Sequence, residues 1–316
     1  MIHAPQPERR AVRRNFGRAS RTYDAAGQVQ ALVRAELVER CHWLLQGRAQ
    51  QPLTVLDLGA GTCAALPLLR SIWPTATMLA MDFSSPMLAA GSVRLRGAAP
   101  GLFGKLQRLW RAGPLCAAVC ADASSLPLAD RSVDLVFCNL LLHWCRDPDA
   151  VLCEMQRVLK PDGLLALSTW GPDTLRELRT AWAQVDTQEH VIRFFDMHDI
   201  GDALMRCGFR EPVLDVDRLQ TQHRDVMALM HYLRDSGASN ATAGRCSTLT
   251  GRRRLEAVFA AYPHQPDSNQ VSASWEVVYA SAFAGGKAAG GRQEFSVDAA
   301  QLANSLAARR ERPAPP

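Results

Sequence analysis

Between residues 53 and 185 short apolar runs alternate with helix-like stretches, and this rhythm constrains the fold more than any other feature of the chain. The runs are Leu53–Leu58, Thr77–Met81, Ala117–Cys120, Val133–Cys138 and Leu164–Thr169, and the helix-like segments lie near 63–72, 85–96, 149–159 and 174–185. Strands alternating with helices make βαβ units, so the expected core is an α/β domain with a parallel, doubly wound sheet and right-handed crossovers. An amphipathic helix precedes it: Val29, Leu32, Val33, Leu37, Cys41, Leu44 and Leu45 recur near the helical period over 25–46, with Asp24 as the expected N-cap. After Gly208, PVLDVDRL (212–219) reads as a strand, about 224–262 as helical, and Trp275–Phe283 as a late strand that rejoins the sheet. The helical part, about 220–265, is then a cap or insertion before the last strand. Residues 284–316, rich in Gly, Ala, Arg and Pro, read as a disordered tail.

The chain has 316 residues, 47% of them apolar, which suits one or two domains with a sizeable core and excludes a disordered or fibrous chain. Its formal charge of +5 is unevenly spread. Residues 1–22 carry Arg9, Arg10, Arg13, Arg14, Arg18 and Arg21 against Glu8, and 92–115 carry Arg94, Arg96, Lys105, Arg108 and Arg111 with no acid. The remainder is therefore net acidic. Two local basic surfaces fit an acidic partner better than nucleic acid, although solvated faces have the same composition. The nine cysteines are odd in number and show no CxxC pair, which reads as reduced thiols of a cytoplasmic protein. Cys138, His143 and Cys145 lack a second ligand pair at zinc spacing, so no metal is expected. No run approaches a membrane span, and the arginine-rich start lacks the apolar segment of a secretory signal.

Three strand ends carry the chemistry. V-L-D-L-G-A-G-T (55–62) runs from a strand through Asp57 and the turn Gly59-Ala60-Gly61 into a helix near Thr62, and glycines there let backbone approach a ligand at the carboxyl edge of the sheet. The third glycine of the dinucleotide fingerprint is missing, so the turn does not specify a pyrophosphate. ATMLAMDFS (76–84) ends in Asp82, about 20 residues on, where a carboxylate accepts both hydroxyls of an adenosine-type ribose. A-D-A-S-S-L-P-L (121–128) puts Asp122 where it can accept from an adenine amino group. Each acid also has a plainer reading: Asp57 capping its turn, Asp82 capping the helix after Ser84, Asp122 as a loop carboxylate.

With VDLVFCNLLLHW (133–144) and RVLKPDGLLALSTW (157–170), these motifs in order resemble the class I S-adenosylmethionine-dependent methyltransferases. That resemblance implies a Rossmann-like seven-stranded sheet and a cofactor set of Asp57, Gly59, Ala60, Gly61, Thr62, Asp82, Phe83, Ser84, Met87, Asp122, Ala123, Asn139 and Leu140. The segment from Arg14 to Asp24, together with STWGPDTLRELR (168–179), HVIRFFDMHDIGDALMRCGF (190–209), LRDSGASNAT (233–242) and WEVVYASAF (275–283), resembles the malonyl-acyl-carrier-protein O-methyltransferases of biotin synthesis, the BioC family. The likeness covers roughly 14–283 and departs from the family at Ala19-Ser20, where the family tends to small residues, and at the long basic segment 92–115. It implies transfer of a methyl group from S-adenosylmethionine to the free carboxylate of a malonyl thioester, with an acyl carrier protein as partner and residues 1–24 as a lid.

Such a carboxylate needs positioning and a clamp rather than a base. Tyr23 is the first candidate for a site hydroxyl, with packing as its alternative, and Arg176 or Arg179 for the clamp, with a solvated helix face as theirs. His143 and Trp144 follow the fourth strand beside the expected methyl position, and His143 serves equally as a structural histidine. Trp170 and Phe194 are acyl-pocket walls or core. Arginines 9–21 and 94–111 are candidate carrier-docking surfaces. Competing readings are the complex I assembly-factor branch with arginine hydroxylase activity, an inactive cofactor-binding scaffold, and a small-molecule C-methyltransferase using His143 as base.

Overall fold

The computed structural model describes residues 7–48, 51, 53–96, 115–245, 250–264 and 270–285. In chain order it contains α1 (Arg9–Ala19), α2 (Tyr23–Ala26), α3 (Gln28–Leu44), β1 (Thr54–Leu58), α4 (Leu66–Ile72), β2 (Thr77–Asp82), α5 (Ser85–Ala90), α6 (Ser92–Arg96), β3 (Cys116–Cys120), β4 (Val133–Asn139), α7 (Pro148–Val158), β5 (Leu159–Trp170), α8 (Arg176–Ala183), α9 (Met197–Arg206), β6 (Phe209–His223), α10 (Val226–Asp235), α11 (Arg252–Ala261) and β7 (Val271–Ala284). The seven strands form one sheet in the order β3-β2-β1-β4-β5-β7-β6, with β7 antiparallel to both neighbours and β1 to β5 parallel.

Helices cover both faces, and the strand period of two sorts the apolar side chains between them. On one face Val55, Leu135 and Phe137 pack with Val29, Val33 and Leu37 of α3. On the other, Leu56, Leu58, Val136 and Cys138 pack with Val151, Leu152 and Met155 of α7 and Ile200 and Leu204 of α9. The sheet order reverses between β1 and β4, and a ligand crevice belongs at the carboxyl ends of those strands.

Several local expectations change. Asp24 lies within α2 and does not cap the long helix, which starts after Gly27. The stretch 85–96 is two helices broken at Gly91, where a Cβ would run into the Thr62 carbonyl. The strand read at 212–219 spans Phe209–His223, because its long antiparallel pairing with β7 sustains it in both directions. Cys153 and Cys207 form a disulfide with Cα atoms 4.9 Å apart, which corrects the all-thiol expectation; α7 and the end of α9 meet on one face of the sheet. The other described cysteines are free. Lys105, Arg108, Arg111, Cys246 and residues 286–316 lie outside the described residues. No helix among the described residues is long and apolar enough to cross a membrane.

The sequence blocks distant in the chain meet in space. Glu8 N donates to Ala241 O at 2.6 Å, Asn15 Nδ2 to Ser239 O at 3.1 Å and Thr22 Oγ1 to Asp235 O at 2.8 Å, so the N-terminal helices are fastened to the 233–242 block. Asn240 Nδ2 reaches Glu189 O at 2.7 Å. The loop after β5 is held by Glu276 of β7, whose carboxylate accepts from Asp173 N at 2.8 Å and whose carbonyl accepts from Thr174 Oγ1 at 3.0 Å.

Candidate active site

The turn after β1 is built from backbone. Gly59 and Gly61 have φ of +75° and +53°, values that strain any side chain, and a Cβ on Gly59 would lie 2.9 Å from Leu141 Cβ. The N–H groups of Gly59 and Ala60 donate to Met81 O at 2.8 and 3.0 Å, tying the turn to the end of β2. Asp82 completes the frame: its two oxygens accept from Gly61 N at 2.9 Å and Ser84 N at 2.8 Å. Each oxygen keeps a second lone pair, so two vicinal hydroxyls still find acceptors there. Burial raises its pKa.

Above this frame lies a cavity of about 640 Å³, lined by Gly59, Met81, Asp82, Phe83, Asp122, Ala123, Leu141 and Trp144 and roofed by Pro7 to Arg10. Asp122 sits on the far wall, accepting from Ser124 N and Oγ at 2.9 Å and paired with Arg9 Nη2 at 2.5 Å. A smaller space of about 50 Å³ adjoins it, sharing Gly59, Asp82, Phe83, Leu141 and Trp144 and adding Phe16, Tyr23, Gln30, Gly61, Met87, Asn139, Leu140, His143, Trp170 and Ser236. An adenosine-sized chamber thus opens onto a small polar pocket.

Behind the glycine turn, outside the lining of either cavity, are two unsatisfied polar atoms of opposite character. Asp57 is 2% exposed, its Oδ2 has no partner, and burial, reinforced by the Asp82 charge, pushes its pKa up to about 7. Arg34, half-buried on α3, has an unpartnered Nε, and burial holds its guanidinium below its ordinary pKa against support from Tyr23, Asp24 and Asp57. A buried acid and a half-buried cation that feel each other's charge beside the Gly59 and Gly61 turn fit the ammonium and carboxylate of an amino-acid group. Thr62, also buried, donates to Asp24 Oδ1 at 2.5 Å, and Arg94 bridges Asp24 Oδ2 and Thr62 O at 2.8 Å each.

Apart from the shared Asp82 carboxylate, the polar side chains of the smaller pocket are neutral. Burial pushes the Tyr23 phenol up to about 12, so it keeps its proton. Gln30 Oε1 accepts from Tyr232 at 3.3 Å, leaving its amide N–H groups. Asn139 Oδ1 accepts from Ser168 Oγ at 2.9 Å, and Leu140, at φ +54°, turns the chain out of β4. His143 contacts Thr169 Oγ1 through Nδ1 at 3.1 Å, while burial lowers its pKa to about 3. Met87 approaches Gly61, and the Ser84 hydroxyl is buried without a partner. Phe194 and Trp170 flank the His143 ring at centroid distances of 5.6 and 6.2 Å.

The two arginines nominated for the clamp are elsewhere. Arg179 donates to Pro172 O at 2.8 Å and Thr174 O at 3.0 Å, bracing the loop after β5, and Arg176 is largely exposed, 3.5 Å from Glu177; neither lines the chamber or the smaller pocket. Gln30 and Arg34 were not foreseen. The signal was available: they are polar residues four apart on a helix whose other inward positions are Val29, Val33 and Leu37. Among the described residues no cluster of three or more His, Cys, Asp or Glu could hold a metal.

Comparison with known proteins agrees with this geometry. Two family models described as methyltransferase domains match residues 56–167 and 115–227. The malonyl-[acyl-carrier protein] O-methyltransferase of Laribacter hongkongensis is 42% identical over 283 residues, 90% of this chain and 92% of the relative. The Methylovorus protein of the same name is 43% identical over 272 residues, 86% and 88% of the two chains. The structure of the YcgJ protein from Bacillus subtilis shares the fold at 14% identity, with a TM-score of 0.52 over 78% of this chain and 99% of that one. Sheet order, glycine turn, strand-end carboxylates and near full-length relatives lead to one conclusion: the chain is a methyltransferase of the class I S-adenosylmethionine-dependent fold and belongs to the malonyl-[acyl-carrier protein] O-methyltransferase family.

Proposed function

We propose that the enzyme methylates the free carboxylate of a malonyl thioester carried on an acyl carrier protein, using S-adenosylmethionine, and so primes pimeloyl-chain synthesis for biotin in the cytoplasm. The observation that carries this reading is the pairing of the large chamber, with Asp82 and Asp122 on its walls and Asp57 buried beside the glycine turn, with an adjoining pocket whose polar side chains other than the shared Asp82 are neutral. Asp82 would hold the ribose hydroxyls, Asp122 the adenine amino group, and Asp57 and Arg34 the amino-acid end. The bound cofactor supplies an electrophilic methyl group on a sulfonium.

A carboxylate with a pKa near 4 is already ionised at neutral pH and needs no general base. The residues of the small pocket therefore have to orient it and exclude water, and orientation alone lowers such barriers by up to about 7–11 kcal/mol. This suits the site, since His143, its pKa lowered to about 3, is a poor proton acceptor for a C-methylation. Masking the malonyl charge as an ester makes the chain acceptable to fatty-acid elongation enzymes.

The outer face of α1 supports carrier docking. Arg10, Arg13, Arg14 and Arg18 recur at three- and four-residue spacing, with Arg21 just beyond; all are exposed, and none has an acidic partner among the described residues. The opposite face buries Ala11 and Val12 and presents Phe16 to the small pocket, so an acidic carrier on α1 would rest beside the acceptor. Arg94 is engaged with Asp24 and Thr62, and the rest of that basic segment lies outside the described residues. The test is to incubate enzyme, S-adenosylmethionine and malonyl carrier protein and read the malonyl group by mass spectrometry. One added methyl is expected; methylation of a different acceptor with none on malonyl would overturn the reading.

A further inference from the structure

His143 follows β4 on a single helical turn, Leu142–Trp144, and is 1% exposed. Its Nε2 has no hydrogen-bond partner, and the residue lines the smaller pocket with Tyr23 and Asn139. Its other nitrogen, Nδ1, lies 3.1 Å from Thr169 Oγ1, and Thr169 is fully buried. Among the described residues that nitrogen is the acceptor within reach of the Thr169 hydroxyl.

The proton count follows. Were Nδ1 protonated, it would donate to Thr169, the buried hydroxyl hydrogen would have no acceptor, and Nε2 would be a second unsatisfied atom; each costs about 1–3 kcal/mol. With Thr169 donating to a bare Nδ1, one unsatisfied group remains: the buried Nε2–H of a residue that lines the pocket.

We infer that Thr169 fixes His143 as its Nε2–H tautomer and that this N–H, beside the Tyr23 hydroxyl, binds the free carboxylate of the acceptor, so that His143 selects anionic acceptors. This rests on the proposed function. The imidazole stays neutral because burial lowers its pKa, to about 3; the charged side chain in the smaller pocket's lining is the Asp82 carboxylate, already held by Gly61 N and Ser84 N, and no arginine lines it. A neutral donor positions the anion while withdrawing less charge from the attacking oxygen than a guanidinium fork would.

Two measurements test it. Long-range nitrogen–proton NMR of the ¹⁵N-histidine enzyme, with His143 assigned through His143→Gln, should show Nε2 protonated and Nδ1 bare, and Thr169→Val should abolish that preference. An Nδ1–H ring in the wild type overturns the inference whatever the activity. In steady state, His143→Leu should lose about tenfold to a hundredfold in kcat/KM for the malonyl thioester, the range for a hydrogen bond to a charged group, while S-adenosylhomocysteine affinity holds. His143→Gln, which keeps an N–H donor, should recover most of that loss. Full activity of His143→Leu overturns the inference and leaves the proposed function standing; a wild-type enzyme that never methylates malonyl overturns the function itself.

Discussion

The Thr62 hydroxyl donates to the Asp24 carboxylate at 2.5 Å, which latches the N-terminal helices onto the glycine turn after β1. Removing this contact should loosen the roof over the site. Thr62→Val is expected to raise the Kd for S-adenosylhomocysteine about tenfold, the scale of a lost hydrogen bond to a charged group, measured by calorimetry. An unchanged affinity would mean the latch is decorative.

Asp57 makes stability and binding depend on pH in opposite senses. Its folded pKa of about 7 lies above the unfolded value, so the folded state holds an extra proton between about pH 4 and 7. The stability it contributes is full at the acid end and is lost as pH rises towards 7. Melting curves should show that Asp57→Asn removes this downward component, read as the wild-type minus variant difference. S-adenosylhomocysteine should bind more tightly as pH rises through about 7, when Asp57 ionises opposite the ligand ammonium, and the variant should lose that dependence.

The arginine face of α1 makes a rate prediction. Reversing Arg13, Arg14 and Arg18 to Glu should reduce kcat/KM on malonyl carrier protein by tenfold or more at low salt, as electrostatic steering is lost, and leave malonyl-coenzyme A turnover nearly unchanged. Equal losses on both substrates would remove docking as the explanation.

The Cys153–Cys207 link closes a separation of 54 residues. Cys153→Ala should lower stability by about 2–4 kcal/mol under oxidising conditions, and reductant should bring the wild type down to the variant. Denaturant melts with and without reductant measure this; wild type and variant melting alike in the absence of reductant would exclude a formed bond in solution.

The sheet was legible because Val55/Leu56 and Phe137/Val136 obey a period of two, and because Gly59-Ala60-Gly61 leaves few conformations for the turn. Asp57, Asp82 and Asp122 were legible as neighbours because each lies at or within two residues of a strand's carboxyl end, and topology brings those ends together. What local pattern does not carry is long-range partnership. Asp24 looks like a cap in sequence but answers Thr62 and Arg94, 38 and 70 residues away. Arg179 has the chemistry of a clamp but is consumed by the carbonyls of Pro172 and Thr174. Arg9 read as part of a docking run, yet its guanidinium pairs with Asp122.

The chemistry is tested most directly by incubating the enzyme with trideuteromethyl-labelled S-adenosylmethionine and malonyl carrier protein, then treating the product with mild alkali. The expected result is label on the malonyl group that alkali releases as methanol, with no label on an acetyl carrier protein lacking the free carboxylate. Label that survives alkali, or that appears equally on the acetyl carrier, would contradict carboxylate O-methylation.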